Sequence, residues 1–175
     1  MGFLRDLFSK KNHKMMKKPF NIDELKSSGD VNNAIIRMDN FIGQLCSYGD
    51  KIEKLNESQK VFYLNQCLER EINNGGFSQY YLNTSSNFAL ETVESLKAIG
   101  AYKTAEILFH ANSIFPDGQV PKDQEQRQKL IEEIEEAGNG KWQQLEDKFM
   151  TYEEDLNSLN MNYIKSNKDK FGLIT

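Results

Sequence analysis

The spacing of the apolar residues constrains this chain most. Val31, Ala34, Ile35, Met38, Phe41, Ile42, Leu45 and Cys46 recur at steps of three and four. That is the period of an α-helix with one broad buried face, not the alternation of a strand. The same period returns in Val61, Leu64, Cys67, Leu68 and Ile72, then in Leu90, Val93 and Leu96. Trp142, Leu145 and Phe149 repeat it, as do Leu156, Leu159, Tyr163 and Ile164. Gly49, Gly75, Gly76, Gly100, "FPDGQVP" and "GNGK" punctuate these runs, and only 3 prolines interrupt 175 residues. Asp30 is the expected N-cap of the first helix. Asn56, with Gln59 three residues on, forms a capping-box pattern. Ser86 or Asn87 is the expected cap before Leu90, and polar positions from about 122 to 137 suit a further helix. The expected fold is all-α: a compact single-domain bundle of about seven or eight helices with no sheet.

Charge divides the chain into two parts. Residues 1–20 hold Arg5, Lys10, Lys11, Lys14, Lys17 and Lys18 against Asp6, a balance of +5, and read as a basic arm. Residues 21–175, read as the helical domain, hold 16 basic and 25 acidic residues, a balance of -9. Phe3, Leu4, Leu7 and Phe8 share one face of a short helix, too short for a signal peptide. Such a segment suits weak contact with an anionic membrane surface through residues 1–18. A loose tail, or a helix docked on its own domain, fits the same residues. The arm is expected to contribute little to folding. No apolar run approaches the ~20 residues that cross a bilayer. Cys46 and Cys67 fall on apolar stripes and read as reduced core thiols.

Reaction chemistry has little material. His13 lies in the basic arm, and His110 stands alone in a helix. No metal-ligand spacing, EF-hand or P-loop pattern occurs, so neither a metal nor a cofactor is expected, and the chain reads as a non-enzyme. Carboxylates are the abundant group. Residues 123–155 hold eleven acidic and four basic residues. Glu132, Glu133, Glu135, Glu136, Glu146, Asp147, Glu153, Glu154 and Asp155 form either a solvated face or a partner-binding surface.

The stretch "EINNGGFSQYYLN", residues 71–83, is the most unusual. Glu71 lies on the apolar stripe at a helix C-terminus, where the macrodipole disfavours negative charge. It is expected to be largely buried and to accept hydrogen bonds from the free N–H groups of Gly76, Phe77 and Ser78 across a corner. Gly75 is the expected left-handed residue and Gly76 the point of close approach. Phe77, Tyr80 and Tyr81 would fill the core, while Gln79 and Asn83 tie backbone groups. A small-molecule or anion site at the same helix start is the alternative.

Glu71, Asn73, Asn74, Gly75, Gly76, Phe77, Gln79, Tyr80 and Asn83 also carry a resemblance. The pattern ExNNGGFxQY resembles the signature of a bacterial all-helical family whose named member is a DNA-mimic protein. "AIGAYKTAEIL", Pro121 with Arg127, and "DKFMTYEEDLNSLNMNYIKSNKDKF" support it, over about residues 31–171. The resemblance implies an all-helical homodimer whose carboxylates occupy the DNA-binding face of a protein partner. The partner would present a basic surface, and direct nucleic-acid binding is not expected. The implied setting is cytoplasmic, peripheral at the inner membrane face if the arm holds it there. An adaptor or immunity-type module anchored by that arm is the second reading.

Overall fold

Asp30 opens the described part of the molecule as a helix cap. Its carboxylate accepts the Asn33 N–H at 3.0 Å and starts α1 (Val31–Leu45). The computed structural model describes residues 30–138 and 140–171. The basic arm lies outside the described residues. Seven α-helices occur among the described residues, and no strand does. After α1 come α2 (Glu57–Leu82), α3 (Ala89–Ala98), α4 (Tyr102–Asn112), α5 (Gln124–Glu136), α6 (Lys141–Phe149) and α7 (Leu156–Ser166). Short 3-10 turns follow α1, α2, α4 and α7. Among the described residues no helix is long and apolar enough to cross a membrane.

The periodic stripes become the core. Ala34, Ile35, Met38 and Ile42 of α1 are buried with Cys46 against Phe62, Tyr63 and Cys67 of α2 and Met161 and Ile164 of α7. Val31 and Leu45, at the ends of the same stripe, are exposed. A second cluster runs from Leu68 and Ile72 through Phe77, Tyr80 and Tyr81 to Ile131, Trp142 and Phe149. Helix α2 therefore belongs to both clusters, and α1, α3, α5, α6 and α7 all pack on it. The capping box forms as its spacing predicts: Gln59 N–H donates to Asn56 Oδ1 and Asn56 N–H donates to Gln59 Oε1. Both cysteines are free and buried, and burial pushes the Cys67 thiol up to about 11.

Two expectations fail locally. Leu90 is 46% exposed, because α3 turns Val93 and Leu96 inward without it. Neither Ser86 nor Asn87 caps α3. The Ser86 hydroxyl donates to the carbonyls of Tyr81 and Asn83, closing the turn behind α2. The Asn87 side chain accepts from Arg127 at 2.9 Å.

Candidate functional site

The corner at Gly75 and Gly76 is a kink within α2 rather than a reversal. Gly75 has φ -170°, an extended value open to any residue, so it is not the left-handed position. Gly76 is, at φ 71° and ψ -167°. That region is essentially reserved for glycine. Space enforces both choices. A Cβ on Gly75 would overlap the Gln79 side chain, and one on Gly76 would fall inside the Glu146 carboxylate. The NGGF sequence thus reflects two close approaches, one within α2 and one from α6.

Glu146, rather than Glu71, caps the second half of α2. The Phe77 N–H donates to Glu146 Oε1 at 2.7 Å, across 69 residues of sequence. An anion at a helix start satisfies free N–H groups and complements the macrodipole. The chain therefore fills with its own carboxylate the place where an external anion would sit. Glu71 is half-buried and holds side chains instead. Its Oε2 accepts from Gln79 Nε2 at 2.8 Å and from Asn83 Nδ2 at 2.7 Å. Both amides descend from the far side of the kink, so Glu71 clamps the two halves of α2 at a fixed angle. Asn73 joins in from the exposed side, donating to the Glu69 carbonyl and to Tyr152 Oη. Asn74 is exposed.

Aromatic packing completes the corner. Phe77, Tyr80 and Tyr81 are fully buried. Tyr81 stacks on Trp142 with ring centroids 5.1 Å apart and meets Phe115 edge-on at 4.8 Å. Its hydroxyl donates to Asn112 at 2.7 Å. Beyond it, Arg127 is 1% exposed and closes the C-terminal end of α2. It donates to the carbonyls of Tyr81, Asn83 and Pro121. Burial pulls its pKa below the ordinary arginine value, and the carbonyl cluster at the helix end takes the cation.

The carboxylates read as one acidic stretch separate into two groups. Glu154 caps α4: its oxygens accept from Lys103 N–H at 3.0 Å, Thr104 N–H at 2.9 Å and the Thr104 hydroxyl at 2.8 Å. Asp155 caps α7 through the Ser158 N–H and hydroxyl, which hold its carboxyl below the usual range. Glu153 pairs with Lys103 at 2.6 Å, and Glu135 accepts from the Ser78 hydroxyl. Asp147 on α6 is the exception: it is exposed and, among the described residues, accepts only from Gln143, one turn away.

The other group lies on α5. Arg127 and Ile131 bury one side of this helix, and Glu125, Glu132, Glu133 and Glu136 are exposed on the other. Helical geometry puts Glu125, Glu132 and Glu136 on one line, with Glu133 beside it. Among the described residues, Glu125, Glu133 and Glu136 accept no hydrogen bond, and Glu132 accepts only from Gln128.

Sequence reasoning missed the roles of Glu146 and Glu154. The clue was a lack. Both Gly76 and Ala101 precede helix starts without a side chain able to cap them, so the caps had to come from elsewhere. Among the described residues no group of three or more His, Cys, Asp or Glu is placed to hold a metal ion.

No curated protein and no solved structure matches the chain. A family model described as DMP19-like protein matches residues 53–167, so the chain belongs to the DMP19-like family, a family of DNA mimics.

Proposed function

We propose that this protein is a non-enzymatic binding protein of the DNA-mimic type, and that the outward face of α5 is what it presents to a basic protein partner. The observation that carries this reading is the division among the carboxylates. Glu146, Glu154 and Asp155 hold helix starts, whereas Glu125, Glu132, Glu133 and Glu136 face solvent with almost nothing to hold. Membership of a DNA-mimic family gives that exposed row a meaning.

Charge density sets what such a face can do. From Glu125 to Glu136 the helix rises roughly 16 Å, and its outward row sets four of its five carboxylates against Lys129. That is about one net charge per 5–6 Å, compared with one per ~3.4 Å along a single DNA strand and one per ~1.7 Å in the duplex. The face approaches one strand's row of phosphates and falls well short of a duplex. Its attraction is therefore long-ranged and strongly screened by salt. The same charges repel nucleic acid, so the expected partner is a protein that binds DNA, not DNA itself.

The test is capture from native lysate with Glu132→Lys, Glu133→Lys and Glu136→Lys combined, at low and high salt. Glu146 is left intact because it caps Phe77. Wild type should capture a basic protein at about 0.1 M salt and lose it near 1 M, where the Debye length falls to about 3 Å. Added duplex DNA should compete. The triple variant should capture nothing while keeping its helicity. Equal yields from both proteins, insensitive to salt, reject the reading.

A further inference from the structure

A groove of about 400 Å³ runs between α4 and α6 and ends at the start of α7. Phe149 and Leu156 form its buried floor, Ile107 and Leu145 are half-buried walls, and Tyr152 stands 41% exposed at the rim. Glu153 and Glu154 on its polar rim are already paired. Glu153 bonds Lys103, Glu154 caps α4, and Glu106 lies 3.6 Å from His110. Small-molecule pockets carry convergent polar groups that orient the ligand. This groove instead offers apolar surface bordered by Glu106, Glu153 and Glu154 alongside Lys103, Lys148 and His110, which suits an amphipathic segment.

The fold brings such a segment to the groove. Asn157 Nδ2 donates to Asn32 Oδ1 at 2.9 Å, so the start of α1 lies beside the start of α7. Leu156, the first residue of α7, lines the groove. The 29 residues that precede Asp30 are thus tethered at its end. They include the +5 arm with Phe3, Leu4, Leu7 and Phe8, on a chain whose remainder carries -9.

We propose that the basic arm docks into this groove of its own chain, its four apolar side chains against the Phe149 and Leu156 floor and its lysines toward Glu106. Reach is ample: the chain between Phe8 and Asp30 spans up to roughly 70 Å when extended. Tethering supplies an effective concentration on the order of millimolar, so weak intrinsic affinity suffices. Sequence alone left the arm open between a loose tail, a membrane contact and a docked helix. Docking in the groove corresponds to the last.

The full-length chain tests this by disulfide trapping, since Cys46 and Cys67 are buried. Leu7→Cys is paired with Lys148→Cys on the groove rim, and as control with Lys129→Cys on α5. The groove pair should close an intrachain disulfide at least about tenfold faster than the control, well beyond what a tether alone gives two accessible sites. Adding Leu4→Asp and Phe8→Asp should remove that advantage. Equal rates in the two pairs, or a rate indifferent to the aspartates, overturn the docking. Disulfides that form between chains and increase with protein concentration overturn it too and assign the groove to a second copy.

Discussion

Glu146 and Glu132 have the same side chain and lie in neighbouring helices of one acidic stretch, yet they serve different ends. Glu146 faces the Phe77 N–H and the bare Cα of Gly76 at the kink in α2. Glu132 faces water and a glutamine of its own helix. Glu154 belongs with the first, at the start of α4, and Glu136 with the second, on the outer face of α5. The role of a carboxylate here follows from what stands opposite it, not from the charge of its neighbourhood. Reversing an acidic stretch wholesale would confuse loss of fold with loss of binding. The two groups have to be tested apart.

The sharpest way to break this distinction is Gly76→Ala. The substitution places a Cβ inside the Glu146 carboxylate and puts alanine in a region that only glycine tolerates. Strain of about 1–3 kcal/mol adds to an unsatisfied N–H of about 1–3 kcal/mol. Urea denaturation should show a loss of about 3–5 kcal/mol. An unchanged midpoint would mean that the kink does not depend on Gly76. Arg127→Met comes next. It leaves the Pro121 carbonyl without its donor, takes one donor each from the Tyr81 and Asn83 carbonyls that Ser86 also serves, and should cost about 3 kcal/mol. Arg127→Lys should not rescue it, because a single ammonium cannot span sites arranged for a planar fork.

Glu146→Ala against Glu132→Ala tests the comparison itself. The first should lower stability by about 1–3 kcal/mol through the orphaned Phe77 N–H, and the second should stay within about 0.5 kcal/mol. If the two lose the same amount, the division between structural and exposed carboxylates fails. The smallest effect is a pH slope. Burial raises the pKa of Asp39 above its ordinary value of 3.8, and this outweighs the opposing attraction of Arg70, whose Nη1 donates at 2.8 Å. The folded state then holds the proton more tightly than the unfolded state does. The penalty for an ionised Asp39 is fully present at neutral pH. It fades as pH falls through the raised value toward the ordinary one, so this group adds stability on acidification. In Asp39→Asn, that part of the slope should vanish in urea midpoints measured from pH 7 downward. A slope identical to wild type would place the titration elsewhere.

Much of the fold could be read without coordinates. Steps of three and four defined both stripes of α1 and α2. Asn56 and Gln59 announced a helix start, and Trp142 with Phe149 marked the buried face of α6. All of these rest on backbone geometry within a turn or two, where spacing in sequence is spacing in space. The ends of the stripes misled, as with Leu45 and Leu90, because the first or last turn of a helix can project past its neighbour.

The sequence by itself determined that the chain is helical, where most helices begin, which residues make the core, and that Gly75 and Gly76 sit at a special corner. Only the tertiary structure decided which glycine is left-handed and that Glu146 rather than Glu71 caps it. It also decided that Arg127 closes α2 and that a row of exposed carboxylates lies on α5. The physical reason is distance along the chain. A cap three residues away is fixed by helix geometry, but a carboxylate 69 residues away reaches its N–H only after α6 has packed on α2.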